Sequence, residues 1–80
     1  MKTLELYYSD LCPDCHQLRK MLVENLPRDV KFKEVNISYS EGEKRARELG
    51  ILSVPAIVID GELRIVGRTD MEEILEELEK

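Results

Sequence analysis

The sequence predicts an α/β fold: a three-layer α/β/α sandwich with βαβαββα order and a four-stranded mixed sheet. Three observations predict it. Apolar strand-like runs alternate with stripes at helical spacing, an Asp60-Gly61 dipeptide separates two apolar runs near the end, and the only two cysteines stand as Cys12-Pro13-Asp14-Cys15 where the first strand gives way to the first helix. Eighty residues are expected to make one domain, 1–80, with a thin core.

Residues 2–8, with Leu4, Leu6, Tyr7 and Tyr8, read as a mostly buried strand, and Ser9 to Leu11 as the loop that delivers Cys12 to a helix. That helix is expected from Pro13 to about Leu26. Cys15, Leu18, Leu22 and Leu26 fall on one stripe at spacings of three and four, Pro13 suits the first helical position and Pro27 ends the run. Val30 to Ile37 alternates weakly as a strand whose phase slips near Glu34, as a bulge would make it do. Ser40 with Glu43 has the capping-box spacing for a short, highly charged helix that Gly50 is placed to stop.

Ala56 to Ile59 and Leu63 to Val66 read as antiparallel strands, because Asp60-Gly61 supplies the positive backbone angles of a two-residue hairpin turn. Thr69 with Glu72 makes a second capping box before a last helix striped by Met71, Ile74, Leu75 and Leu78. Two right-handed crossovers are expected to set the first two strands parallel, with the hairpin completing the sheet.

Charge and composition narrow the function. The net charge of −5 is dispersed, so no basic face offers itself to nucleic acid or to an anionic membrane. The amino terminus lacks a secretory layout and no apolar run approaches a membrane span, so a cytoplasmic location is expected, where a disulfide is more often catalytic than structural. Charged residues at 36% with no Trp suit a heat-tolerant source or a designed chain equally.

Two thiols three residues apart at a helix start can close a small disulfide ring. A ring of four residues constrains the unfolded chain little, so the pair makes a poor structural brace. At the N-cap, Cys12 can receive N–H bonds at sulfur and feel the positive helix end; thiol pKa values in such settings fall from about 8.5 to roughly 3.5–7.5. Cys12 is therefore the expected nucleophile. Cys15, one turn inward on the apolar stripe, is the expected resolving thiol. Pro13 presets the helix start, and Asp14 either opposes the Cys12 thiolate by its charge or serves as an ordinary first-turn acid. His16 completes a C-x-x-C-H pattern, but an export signal and a mostly helical wrap, which haem attachment usually needs, are missing from this reading.

The strand leading into Cys12-Pro13-Asp14-Cys15, Val54-Pro55 before the hairpin strands, and Val66-Gly67-Arg68-Thr69-Asp70 before the last helix together resemble the thioredoxin-like superfamily, including its small glutaredoxin-like members. Pro13 after the first cysteine resembles the glutaredoxin pattern. Ser9-Asp10-Leu11, Ser53-Val54-Pro55, Gly67-Arg68 and Asp14 depart from the Lys, Thr-Val-Pro, Gly-Gly and aromatic residues common in glutathione-using glutaredoxins, with Arg68 offering a replacement cation.

The resemblance implies a thiol-disulfide oxidoreductase with Cys12 and Cys15 as redox dithiol and no bound cofactor. Disulfide-containing proteins are its implied substrates, glutathione or a flavoprotein reductase its electron donor, and the chain is expected to be a monomer. It also implies that Pro55 is cis and frees the main chain of Val54 for an extended substrate, while Thr69 and Asp70 offer polar contacts to a substrate such as glutathione or, for Thr69 in particular, cap the last helix. Copper or zinc binding through the C-x-x-C loop, and a noncatalytic or designed scaffold, are the alternatives.

Overall fold

The computed structural model describes residues 2–80. Seven elements follow one another: β1 (Thr3–Tyr8), α1 (Pro13–Asn25), β2 (Lys31–Asn36), α2 (Ser40–Glu48), β3 (Ala56–Ile59), β4 (Glu62–Val66) and α3 (Met71–Glu79). The order is the expected βαβαββα. The strands form one mixed sheet in the order β2-β1-β3-β4, with β1 and β2 parallel and the pairs β1/β3 and β3/β4 antiparallel. Only the connection through α1 is thus a parallel crossover. It sets the first two strands parallel as expected, whereas the connection through α2 returns the chain antiparallel on the far side of β1 and is not the second crossover.

Alternation along the strands divides the core between two faces. Leu4, Leu6, Ile57, Ile59 and Ile65 meet Leu18 and Leu22 of α1 and Ile74 and Leu78 of α3 on one face. Tyr7, Ala56 and Val58 meet Ala46 of α2 and Ile51 on the other. Each fully buried Leu or Ile contributes roughly 1.5–3 kcal/mol by leaving water, so the first face supplies most of the hydrophobic stabilisation. It also anchors the helix that carries both cysteines.

The phase slip near Glu34 is not a bulge. β1 and β2 pair without interruption from Thr3↔Lys31 to Tyr8↔Asn36. Val30 and Phe32 pack on the first face while Val35 and Ile37 pack on the second, so the apolar residues change face along a regular strand. The irregular register lies in β4. Ile57 pairs with Ile65 but Val58 with Leu63, leaving Arg64 as the extra residue. The bulge explains why Leu63 packs on the α2 face and Ile65 on the other, although two residues apart they would share a face in a regular strand.

Both expected capping boxes are displaced by one residue. The N-cap of α2 is Tyr39, which makes no side-chain cap bond, so Ser40 lies inside the helix. Gly42 sets this start, for a Cβ there would lie 2.0 Å from the Asn36 carbonyl oxygen. Gly50 ends the helix at φ +79, with its N–H donating to Arg47 O and that of Ile51 to Ala46 O in a Schellman arrangement. For α3 the cap is Asp70, whose Oδ1 accepts from Glu73 N–H at 2.9 Å. Thr69 precedes the cap and donates its hydroxyl to the Glu73 carboxylate. The hairpin turns at Asp60 (φ 50) and Gly61 (φ 81), and Asp60 Oδ1 accepts from Thr3 N–H at 2.9 Å.

Candidate active site

Cys12 and Cys15 form a disulfide with their Cα atoms 5.2 Å apart. Cys12 is the N-cap of α1, in extended backbone, and Pro13 follows at the first helical position, where its missing N–H costs no helix bond. Cys12 Sγ accepts from Cys15 N–H at 3.1 Å. In the reduced protein the same sulfur would face an unpaired N–H and the positive end of the helix, the two influences that stabilise a thiolate. Cys12 is partly exposed, whereas Cys15 is 1% exposed. Leu18 and Leu22, next along the same stripe, hold Cys15 inside. The two cysteines of the ring are thus unequally exposed.

The loop before Cys12 is tied down on its β2 side. Asp10 N–H donates to Ser38 Oγ at 3.2 Å, and Asn36 Nδ2 donates to Asp10 Oδ1 at 2.8 Å. His16 Nε2 lies 3.2 Å from the Asp10 carbonyl oxygen, so this residue closes the loop onto the first turn of α1. The contacts from Asn36 and Ser38 were not legible from the motif, since those residues meet Asp10 only through the pairing of β1 with β2.

On the other side a groove of about 200 Å³ opens, lined by Asp14, Gln17, Leu18, Pro55, Arg68 and Thr69. The Val54–Pro55 peptide bond is cis. Pro55 O accepts from Gly67 N–H at 2.7 Å, and Gly67 at φ +92 occupies backbone space that favours glycine; together they bring the β4–α3 loop against the Pro55 loop. Arg68 is thereby carried to the start of α1, with its Nε 3.8 Å from Asp14 Oδ1.

Of the functional candidates singled out in the sequence, the groove gathers Asp14, Pro55, Arg68 and Thr69, while Cys12, Pro13 and Cys15 lie outside its lining. Val54 and Asp70 do not line it. Asp70 spends a carboxylate oxygen on capping α3. Val54 lies outside the strands, and its N–H and C=O enter no hydrogen bond among those of the described residues. Gln17 was missed as a lining residue; its spacing of three from Asp14 on one helix face was the available signal. Exposed apolar side chains flank the site in sequence, Leu11 at 94% and Leu52 at 98%. Among the described residues no group of three or more His, Cys, Asp or Glu side chains is placed to hold a metal ion, and no helix is long and apolar enough to cross a membrane.

Known proteins share this arrangement. The family described as thioredoxin domain matches residues 2–80. The thioredoxin of Methanocaldococcus jannaschii is 31% identical over 80 residues, covering 96% of this chain and 92% of its own. A probable thioredoxin of Archaeoglobus fulgidus is 30% identical over 82 residues, covering 100% of this chain and 89% of its own. Among solved structures, a mutant thioredoxin from Halobacterium salinarum superposes with a TM-score of 0.75 at 27% identity, over 96% of this chain and 70% of that one. With a cysteine pair bonded at the mouth of α1 and this match along nearly its whole length, the chain belongs to the thioredoxin family and is a thiol-disulfide oxidoreductase whose redox group is its own disulfide.

Proposed function

We propose that the chain reduces disulfides of protein substrates, with Cys12 as the attacking thiolate and Cys15 as the resolving thiol. The observation that carries this reading is the position of Cys12 Sγ: partly exposed at a helix N-cap, hydrogen-bonded by Cys15 N–H, and joined to a sulfur sealed in the core. In the reduced protein the Cys12 thiolate attacks one sulfur of the substrate; the substrate S–S bond breaks and its other sulfur leaves as a thiolate that takes up a proton. Cys15 then loses its proton and attacks Cys12 Sγ, which restores the ring and releases the second substrate thiol. Two electrons pass to the substrate, and an external dithiol donor returns them.

An extended substrate segment is received at Val54, whose free N–H and C=O offer main-chain pairing. We favour a flavoprotein reductase over glutathione as donor. Thr69 donates to Glu73 and Asp70 caps α3, so two of the groups that would contact glutathione are engaged by the helix itself. Metal transport is disfavoured, since residues 2–80 match the thioredoxin domain throughout.

Insulin reduction with a chemical dithiol as donor tests the assignment. Cys12→Ser is expected to abolish turnover and Cys15→Ser to stall at a mixed disulfide that mass spectrometry resolves on Cys12. A mixed disulfide trapped on Cys15 in the Cys12→Ser protein, with none trapped on Cys12 in the Cys15→Ser protein, would reverse the roles. Equal turnover of a glutathionylated peptide in Cys15→Ser and parent would instead restore glutathione as a substrate.

A further inference from the structure

We propose that Arg68 is a positioning residue for the charge on Cys12, acting through Asp14. This rests on the reading of Cys12 as nucleophile. Asp14 stands two residues after Cys12, inside the first turn of α1, where its negative charge opposes a thiolate on the N-cap sulfur. Arg68 reaches the same carboxylate from the β4–α3 loop at 3.8 Å, and its guanidinium has no other ion-pair or hydrogen-bond partner among the described residues. The loop is aimed there by the bond from Gly67 N–H to Pro55 O. Arg68 therefore offsets the one carboxylate in the first turn of the nucleophile's helix.

The remaining charged groups at this end are turned to other work. Asp10 Oδ1 accepts from Asn36, His16 meets the Asp10 carbonyl, and Asp70 caps α3. Both members of the Arg68–Asp14 pair are solvated, with side chains 83% and 49% exposed, so the pair is screened and adds little to stability. Its effect is read at the sulfur. Removing the cation leaves Asp14 uncompensated, and the Cys12 thiol becomes harder to ionise.

The test measures alkylation rate by iodoacetamide against pH in the Cys15→Ser protein, where Cys12 is the sole thiol. Arg68→Gln is expected to raise the apparent Cys12 pKa by about 0.3–0.5 units, a two- to threefold loss of thiolate below that pKa. Arg68→Lys should restore the parent curve, and 1 M salt should remove most of the difference. In an Asp14→Asn background, where no carboxylate holds the guanidinium at the start of α1, the Arg68→Gln shift should fall below about 0.1 units. The proposal is overturned if Arg68→Gln leaves the curve unmoved, if it moves the curve equally with and without Asp14, or if Lys fails to rescue. Those results leave the nucleophile in place. A Cys12 no more reactive than a free peptide thiol would overturn the nucleophile assignment and this inference together.

Discussion

The two faces of the sheet solve burial differently. Toward α1 and α3 the buried core is aliphatic, with Leu4, Leu6, Ile57 and Ile59 of the strands and Leu22 and Ile74 of the helices fully buried, and partly buried Tyr8 and Phe32 packed against it. Toward α2 they present a smaller apolar set and a polar cluster. Glu5 is buried mid-strand; it accepts from Tyr7 Oη at 3.2 Å and from Arg45 Nη2 at 3.2 Å, while Arg45 Nε donates to Tyr7 Oη at 2.9 Å. The aliphatic face holds the helix that must keep Cys12 and Cys15 at fixed geometry. The polar face carries the helix that the redox pair does not touch. A buried polar cluster stabilises less than well-packed aliphatic side chains, because its hydrogen bonds first have to offset lost hydration.

The largest test of that contrast is Leu22→Ala, which opens a cavity under α1. It is expected to cost about 2–5 kcal/mol in urea unfolding and to raise the alkylation rate of reduced Cys15 as the helix loosens. Next comes Arg45→Met, which leaves the buried Glu5 without its cation and is expected to cost about 1–3 kcal/mol. Glu5→Leu in the same assay should change stability by less than about 1 kcal/mol, since it removes the charge along with its need for a partner. If Glu5→Leu costs as much as Leu22→Ala, the two faces are energetically alike and the contrast fails.

The smallest effect concerns Tyr7. Burial raises its pKa above the ordinary 10.0, and the hydrogen bond from Arg45 only partly opposes this. The unfolded chain then releases the phenolic proton at lower pH than the folded one. Stability from this source is complete below pH 10.0 and is lost as the pH rises through the higher folded value. Urea midpoints should therefore decline above pH 10.0, and Tyr7→Phe should flatten that decline without moving the activity of the dithiol at neutral pH.

Elements with strong periodicity were legible from the sequence: the stripe of Cys15, Leu18 and Leu22, the Asp60-Gly61 turn, and the N-cap placement of Cys12 all stand where spacing put them. The N-caps of α2 and α3 were legible only to within one residue. Thr69 and Asp70 are both good N-caps, and each has a glutamate three residues on, so local pattern alone could not choose between them. Tyr39 was invisible because it caps with no side-chain bond, and the true determinant, the contact of Gly42 with Asn36, exists only once the helix meets the sheet.

The bulge at Arg64 was hidden by an apparently regular alternation of Leu63 and Ile65. Glu5 drew no notice, although a carboxylate amid Leu4, Leu6 and Tyr7 was itself a sign of a buried partner. Arg68 was legible as a cation near the site. Its partner was not, because the loop that carries it is steered by the Gly67–Pro55 bond and not by anything local.

The sheet's outer rims have a consequence for how other chains can meet this one. On one rim β2 sets Lys31 and Lys33 in water, and on the other β4 is kinked by its extra residue, two devices that deter a foreign strand from lengthening a sheet. Backbone that is open to a visitor lies instead at Val54, next to the proline that walls the groove. Under the proposed function, a peptide seeking main-chain partners is thus turned away from surfaces where it would nucleate aggregates and led toward the Cys12–Cys15 disulfide.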